Sequence, residues 1–201
     1  MVIYSIIGPI ALDSTQKMSY NKNNYLFTGE FMSLNFVPDY YINKFNDIDA
    51  EFLVSLGIKG IILDIDNTLE PYEHDLPGDH VISWLESLRA AGIKAAIVSN
   101  NNRERVEEFN KSLNLPAFPK AKKPFKKNLL RAMYLMGTDA GNTILMGDQI
   151  FTDVWAAHNA KIKAILVPPI NDKKDVFTKF KRLLEKPFLK KYYKRIKKGQ
   201  K

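Results

Sequence analysis

The chain has 201 residues, 45% hydrophobic and 26% charged, which is ordinary for a soluble globular protein with one sizeable core. It has no cysteine and only three histidines, which excludes a disulfide framework and a thiolate metal site and argues against zinc chemistry. We therefore expect a cytoplasmic protein in a reducing compartment, with any metal held by oxygen ligands.

Charge is distributed unevenly along the chain. The formal net charge is +8, yet the segment from Lys173 to Lys201 carries 13 Lys and Arg residues against Asp175 and Glu185, a net of +11. The other residues carry a net of −3, so a mildly acidic body is followed by a polycation. Such a segment predicts an anionic partner, either a membrane surface or a nucleic acid.

Residues 1–33 are predicted to form a loosely ordered extension. The apolar stretch from Met1 to Leu12 is interrupted by Gly8-Pro9 and is too short to span a bilayer. It also lacks the basic start of a secretory signal. Met32 is an alternative start of translation.

Strands and helices alternate along the rest of the chain. Apolar spacing predicts a helix over Ile48–Leu56, ended by Gly57, and a second helix around Val81–Leu88 that ends at Gly92. The predicted strands lie at Gly60–Leu63, Ile93–Val98, Ala117–Phe118, Thr143–Met146 and Lys163–Val167. The later helices are predicted near Arg103–Leu113, Pro124–Met136 and Thr152–Asn159. This order predicts an α/β fold with a doubly wound, Rossmann-like parallel sheet.

The first of these strands ends in two carboxylates, Asp64 and Asp66. Its apolar residues do not alternate with polar ones, as expected for a strand covered on both faces, and ligands bind beyond the carboxyl ends of such strands. An Asp at that position can attack phosphorus, and a second Asp two residues on can exchange protons with the leaving group. The same residues could instead form an Asx turn that closes an ordinary strand.

Polar residues follow the other strands as well. Ser99 can hold phosphoryl oxygens, and Lys123, fixed before Pro124, can neutralise developing charge. Asp148 and Asp153 add carboxylates of the kind that Mg²⁺ requires.

Each of these residues also has a purely structural interpretation. Ser99-Asn100 could cap the following helix, and Lys123 belongs to a run of five lysines in which Lys122 is a rival. Asp148 could close a turn, and Asp153 could favour a helix dipole. The three histidines, His74, His80 and His158, are expected to be solvated or cap-like and receive no role.

These motifs in this order resemble the haloacid dehalogenase (HAD) superfamily of phosphohydrolases. The matches are Asp64-x-Asp66-x-Thr68, Ser99 after an apolar strand, Lys123 before Pro124, and Gly147-Asp148-x-x-x-x-Asp153. The similarity extends over about residues 36–170. The amino-acid sequences of the motifs are most similar to subclass IIIA, the YqeG-type group that includes phosphatidylglycerophosphate phosphatases.

The resemblance implies a HAD-like fold, Mg²⁺ as cofactor and a role for each matching residue. The implied catalytic residues are Asp64, as nucleophile, and Asp66, as general acid and then base. The implied phosphate-binding residues are Ser99, Asn100, Lys123 and Thr68, of which Thr68 would order the loop. The implied metal ligands are Asp64, Asp66 through its backbone carbonyl, Asp148 and Asp153.

The spacing of the motifs leaves no room for a lid. Asp64 and Ser99 are 35 residues apart, a length already filled by a loop, a helix and a strand, and Ser99 and Lys123 are 24 apart. We therefore expect a capless domain at residues 34–170 with an open site that admits a phosphate carried on a large molecule.

These observations predict a phosphomonoester hydrolase that works through an aspartyl-phosphate and converts phosphatidylglycerophosphate to phosphatidylglycerol. One alternative is a phosphatase for a sugar phosphate, nucleotide or phosphoprotein. A second is a non-enzymatic factor that binds RNA or the ribosome through the basic tail.

Residues 171–201 are predicted to form a basic amphipathic tail. Val176 to Leu184 and Phe188 to Ile196 each show an apolar stripe at helical spacing, and Pro187 is expected to divide them into two short helices. The first stripe could pack on the sheet as a last core helix. The second is expected to face an anionic membrane, which would place the protein peripherally on the inner face of the membrane.

Overall fold

A computed structural model describes residues 36–171 and 176–199 of the chain. The predicted extension of residues 1–33, with its alternative start at Met32, lies outside the described residues. The proposed division into residues 34–170 and 171–201 stays a prediction. Within the described ranges, no helix is both long enough and apolar enough to cross a membrane.

The described residues form a three-layer α/β structure. Its six strands are β1 (Tyr40–Tyr41), β2 (Gly60–Leu63), β3 (Lys94–Val98), β4 (Ala117–Phe118), β5 (Thr143–Gly147) and β6 (Lys163–Leu166). Its helices are α1 (Ala50–Ser55), α2 (Asp79–Ala90), α3 (Arg103–Asn110), α4 (Lys127–Met136), α5 (Trp155–Asn159) and α6 (Val176–Gly199). A short 3-10 turn spans Phe45–Asp47, and a π-helical turn spans Ile150–Val154 and runs into α5.

The six strands form one parallel sheet in the order β1-β6-β5-β2-β3-β4. Strand β2 lies in the middle, where Leu63 pairs with Ile97 of β3 on one side and with Met146 of β5 on the other. Because all strands run in the same direction, the segments that follow β2, β3, β4 and β5 leave the sheet at one edge. We call this the carboxyl edge.

Helices cover both faces of the sheet, which explains why the strands are continuously apolar. Ile61 and Leu63 point into a core shared with α1, α2 and α3, whereas Ile62 points into a second core shared with α4 and α5. The doubly wound parallel sheet predicted from the sequence is therefore confirmed. The connection from β2 to β3 holds only a loop and α2, so no cap domain is present among the described residues.

Two local features differ from the predictions. Strand β1 was not predicted, and it extends the sheet by pairing with β6. The helix predicted from Thr152 begins at Ile150 as a wider π-helical turn.

The prediction that Pro187 divides the tail into two helices is wrong, because α6 continues through Pro187. A proline inside a helix typically costs about 3 kcal/mol, so other contacts must offset this cost. Three aromatic contacts of Phe188 and Tyr192 supply them. Phe188 lies 5.2 Å from Phe36 and 5.8 Å from Phe151 between ring centroids, and Tyr192 lies 6.2 Å from Tyr41.

The expectation that the Phe188–Ile196 stripe faces a membrane is also wrong for Phe188 and Tyr192, although Tyr193 is exposed. Tyr192 is buried, and its hydroxyl accepts a hydrogen bond from the Tyr41 amide at 3.0 Å. Arg195 donates to the Pro38 carbonyl at 3.0 Å. The stripe covers the part of the sheet next to β1, where the other helices leave apolar surface open. Of the preceding stripe, Leu183 and Leu184 are exposed, and the side chains of residues 176–182 lie outside the description.

Candidate active site

Three carboxylates converge at the carboxyl edge of the sheet. Asp64 follows β2 and Asp148 follows β5, and the amide of Asp64 donates to the carbonyl of Met146 at 3.0 Å, so the two neighbouring strand ends are held together. One carboxylate oxygen from each of Asp64, Asp148 and Asp153 lies within 4.8 Å of the other two, and all three residues are buried. Residues far apart in sequence thus form one acidic cluster.

The π-helical turn after β5 delivers Asp153 to this cluster. One oxygen of Asp153 accepts hydrogen bonds from the Gln149 amide and the Thr152 hydroxyl, both at 3.1 Å. Gly147 is required at the end of β5, since a Cβ there would collide with the Asp153 carboxylate. The glycine that precedes Asp148 in the predicted motif is therefore explained by steric exclusion of a side chain.

Lys123 is the cation of the cluster. Its ammonium lies 2.9 Å from Asp64 Oδ1 and 2.6 Å from Asp153 Oδ1, and the side chain is buried. The rival Lys122 is exposed. Asn100 fixes the backbone of Lys123, because its side chain accepts from the Lys123 amide at 2.6 Å and donates to the Lys123 carbonyl at 3.1 Å. The side chain of Asn100 thus positions the lysine.

Burial and mutual repulsion shift the pKa values in this cluster. Burial, together with the neighbouring Asp153 and Asp148, raises the pKa of Asp64 to about 8, although Lys123 acts in the opposite direction. Burial alone would lower the pKa of Lys123, but Asp153 and Asp64 outweigh it and raise that pKa above its usual value. Within the described residues, three carboxylates cluster around the ammonium of Lys123, and a divalent cation would offset their negative charge. Their oxygen donors fit a hard ion such as Mg²⁺.

Asp66 lies in a different environment, at the open side of the cluster. Its carboxylate accepts from Asn101 Nδ2 at 2.8 Å and from Arg105 Nε at 3.2 Å. Arg105 also donates to the carbonyl of Asp75 at 2.9 Å, in the loop after β2, and its guanidinium lies 5.2 Å from the ring centroid of Phe109. Asp66 thus has its own cationic partner.

Sequence reasoning missed Asn101 and Arg105. A signal for Arg105 exists, because it is a charged residue on the buried face of α3, beside Val106 and Phe109. The cap of α3 is also not Ser99 or Asn100, since the Asn102 side chain accepts from the Arg105 amide at 2.8 Å.

Ser99 and Thr68 lie close to the strand ends and are both buried. The Ser99 hydroxyl accepts from the Asn101 amide at 3.1 Å, which shapes the loop after β3. The Thr68 hydroxyl has no hydrogen-bond partner within the described part of the chain. A buried hydroxyl of this kind can donate to an anionic ligand.

The histidines occupy other positions. His74 Nδ1 lies 3.1 Å and His80 Nε2 3.3 Å from the buried carboxylate of Glu70, which also accepts from the Gly78 amide at 2.9 Å. His158 is not solvated as expected, because it is largely buried and pairs with Asp39 at 3.0 Å. The first group closes the loop after β2, and the second joins α5 to the start of β1.

The chain was also compared with known proteins. The sequence model of a family described as haloacid dehalogenase-like hydrolase matches residues 14–167. The chain is 36% identical over 154 residues to the "Probable phosphatase YqeG" of Bacillus subtilis (strain 168), which covers 77% of this chain and 90% of that protein. It is 25% identical over 108 residues to the "Glyceraldehyde 3-phosphate phosphatase" of Pyrococcus abyssi, covering 49% of this chain and 44% of that one.

Among solved structures, the chain is similar to the cobalt-bound deoxy-D-mannose-octulosonate 8-phosphate phosphatase of Haemophilus influenzae. The TM-score is 0.47 at 16% identity, covering 68% of this chain and 90% of that chain. With the fold and the ordered acidic motifs already described, the family match and the relative in Bacillus lead to one conclusion. The chain belongs to the haloacid dehalogenase-like hydrolases and is a phosphatase of that family.

Proposed function

We propose that the protein is a Mg²⁺-dependent phosphomonoesterase that works through an aspartyl-phosphate and acts on phosphatidylglycerophosphate. The observation that carries the chemistry is the position of Asp64. It stands at the end of the central strand, 2.9 Å from the ammonium of Lys123 and beside the carboxylates of Asp148 and Asp153.

In this proposal a carboxylate oxygen of Asp64 attacks phosphorus and the bond to the leaving oxygen breaks. Lys123, with the hydroxyls of Ser99 and Thr68, binds the phosphoryl oxygens, where charge builds up in the transition state. Asn100 contributes by fixing the backbone of Lys123. Because these groups are already held in place, little reorganisation is needed as the charge develops.

Asp66 serves the leaving group and then the water. As a general acid it gives a proton to the departing alkoxide, and as a base it then takes one from the water that hydrolyses the aspartyl-phosphate. Asn101 and Arg105 orient its carboxylate.

Asp64, Asp148, Asp153 and the backbone carbonyl of Asp66 would hold Mg²⁺. When bound, the ion supplies positive charge that offsets the clustered carboxylates and the incoming phosphate. The identity of the metal follows from the all-oxygen donor set and forms part of the proposal.

The open carboxyl edge supports a large substrate. No cap covers the site in the described residues, so the phosphate of a lipid headgroup could approach while its acyl chains stay in the bilayer. The exposed lysines of α6, such as Lys190, Lys191 and Lys194, would add attraction to an anionic membrane on its cytoplasmic side. Together, these features support a peripheral membrane enzyme.

A small water-soluble phosphomonoester is the second candidate. It is favoured by the similarity to the glyceraldehyde 3-phosphate phosphatase of Pyrococcus abyssi, although that match covers only about half of this chain. The third interpretation, a non-enzymatic RNA-binding factor, does not agree with membership in a phosphatase family.

The deciding experiment is a substrate panel assayed with the full chain and Mg²⁺. It would compare phosphatidylglycerophosphate in mixed vesicles with glyceraldehyde 3-phosphate, a nucleotide and a phosphopeptide. We expect the highest kcat/KM for the lipid, and complete loss of activity in EDTA that Mg²⁺ restores. A soluble ester hydrolysed faster than the lipid would reject the proposed substrate, and activity in EDTA would reject the metal.

A further inference from the structure

The carboxyl edge is the part of the described surface where large apolar side chains collect around the active site. Eleven such side chains are exposed in the described residues, and six of them belong to segments at this edge. We call these six the apolar rim. They are Tyr72, Leu76, Phe125, Ile170, Leu183 and Leu184, with exposed fractions from 46% to 71%.

The fold places all six beside the site. Tyr72 and Leu76 lie in the loop after β2, and Phe125 lies in the connection after β4. The amide of Ile170 donates to the carbonyl of Asn67 at 3.1 Å, and Asn67 lies three residues after Asp64. Leu183 and Leu184 precede Glu185, whose buried carboxylate accepts from the Ile150 amide at 2.8 Å. Ile150 lies two residues after Asp148.

Phe125 is the most exposed member of the rim and lies among exposed lysines. Lys120, Lys122, Lys126 and Lys127 are all exposed, and none of them forms an ion pair with a described residue. Two residues before Phe125, the buried Lys123 contacts Asp64. A surface that touches Phe125 is therefore next to the phosphoryl site.

This connection is held rigidly. The amides of Lys120 and Ala121 donate to the carbonyls of Asn101 and Ser99 at 2.8 and 2.9 Å, and the Phe125 amide donates to the Lys122 carbonyl at 2.9 Å. Asn159 Nδ2 donates to the Pro124 carbonyl at 3.0 Å. The phenyl ring is thus presented to solvent by a fixed backbone.

We propose that the carboxyl edge is a membrane-docking surface, in which Phe125 enters the headgroup region of an anionic bilayer and the four flanking lysines bind the lipid phosphates. The inference rests on the proposed function, because it explains how a lidless site would reach a phosphate carried on a lipid. Apolar side chains surrounded by cations are the combination that such an interface binds. The loop after β2 contributes the exposed acids Glu73 and Asp75, so the attraction acts on the side of β4.

The composition of the rim favours a membrane over RNA. Nucleic-acid bases stack on aromatic rings, whereas Leu76, Ile170, Leu183 and Leu184 are aliphatic and gain free energy only from an apolar environment. The Phe188–Ile196 stripe of α6 is less suited to this role, since Tyr192 is buried against the domain.

Surface variants of the full chain test the inference. Removing residues of α6 would uncover the sheet, so truncation is avoided. Phe125→Ser, and separately the pair Lys126→Gln and Lys127→Gln, should each reduce binding to phosphatidylglycerol vesicles about tenfold at moderate salt. Binding would be measured by sedimentation, with phosphatidylcholine vesicles as the neutral reference.

The chain offers matched controls. Tyr134 is more exposed than Phe125 and lies on α4, about 10 Å along the helix axis from Lys127. Tyr134→Ser should leave vesicle binding unchanged. So should the pair Lys59→Gln and Lys163→Gln, because both lysines are exposed at the opposite edge of the sheet.

A second measurement locates the inserted residue directly. Tryptophan fluorescence of Phe125→Trp should shift to shorter wavelength with phosphatidylglycerol vesicles, whereas that of Tyr134→Trp should not. Equal shifts, or unchanged binding of the Phe125→Ser protein, would overturn the inference. So would binding of an unstructured RNA that is stronger than vesicle binding and lost in the same variants.

Hydrolysis of a water-soluble phosphomonoester separates this inference from the proposed function. All variants should retain the soluble rate of the native chain, which also shows that they fold. Vesicle binding through Phe125 without hydrolysis of the lipid would reject the substrate and keep the docking surface. Lipid hydrolysis that does not depend on Phe125 or the lysines would reject the docking surface and keep the substrate.

Discussion

The two halves of the active site handle charge in opposite ways. In the buried half, Asp64 and Asp153 both pair with the ammonium of Lys123, and the carboxylate of Asp148 lies beside them. In the loop half, Asp66 has Arg105 as its own partner, with their charged atoms 3.1 Å apart. Among the described residues, the buried half therefore gathers three carboxylates around one ammonium, whereas the loop half pairs one carboxylate with one guanidinium.

This difference indicates which half depends on a metal ion. Carboxylates that are removed from water need compensation, and burial accordingly raises the pKa of Asp64 to about 8. In the proposed mechanism a cation is needed beside Asp64, whereas Asp66 is oriented by protein groups. The following predictions test this division, beginning with the largest expected effect.

Asp64→Asn should abolish turnover, because an amide cannot accept the phosphoryl group. The fold should persist, and without Mg²⁺ the variant should be at least as stable as the native chain, since burial disfavours the carboxylate it replaces. Steady-state assays and thermal unfolding in EDTA would measure both effects. Activity above a few per cent of native would refute the covalent mechanism.

Asp66→Asn should lower kcat by about 100- to 10,000-fold, the usual range for loss of general acid–base catalysis. With p-nitrophenyl phosphate, whose leaving group needs no proton, the first step should survive. Stopped-flow absorbance should then show a burst of up to one nitrophenolate per enzyme followed by a stall. A slow reaction without a burst would show that phosphoryl transfer itself requires Asp66, even when the leaving group needs no proton.

Binding of Mg²⁺ should weaken as the pH falls. A carboxyl with a pKa of about 8 is protonated below that pH in the metal-free protein, so the ion must displace a proton. The dissociation constant should rise by about tenfold per pH unit from pH 8 to pH 6. Calorimetry in buffers of different ionisation enthalpy would count the released proton, and Asp64→Asn should release none.

Arg105→Lys should have the smallest effect, a fall in kcat of about tenfold with little change in KM, as expected for loss of one charged hydrogen bond. Lysine keeps the charge but cannot donate to Asp66 and the Asp75 carbonyl together. Added guanidinium should partly rescue Arg105→Ala. Arg103→Lys is the control, because Arg103 is exposed and pairs with Glu107 on the surface. An equal loss in both lysine variants would make the effect one of general charge.

The positions of most strands and of the clustered acids could be predicted from the sequence. Local signals define them, namely unbroken apolar runs such as Gly60–Leu63, polar residues directly after those runs, and Gly147 before Asp148. Because parallel strands end at one edge, the order of these motifs is enough to bring Asp64 and Asp148 together.

Other features depended on tertiary contacts. Lys123 and Lys122 are chemically identical neighbours, and only the turn of the backbone shows which of them is buried against Asp64. The pairing of Arg105 with Asp66 joins a helix to a loop 39 residues away, a separation at which sequence spacing carries no information.

The tail also shows what a local sequence pattern leaves undetermined. By itself, the sequence determined a basic amphipathic segment with aromatic residues at helical spacing. Whether Phe188 and Tyr192 face lipid or protein depends on whether the other helices leave part of the sheet uncovered, which no local pattern records. The tertiary structure decided it, because the surface beside β1 remained open and burying these rings there outweighed the cost of Pro187 within α6.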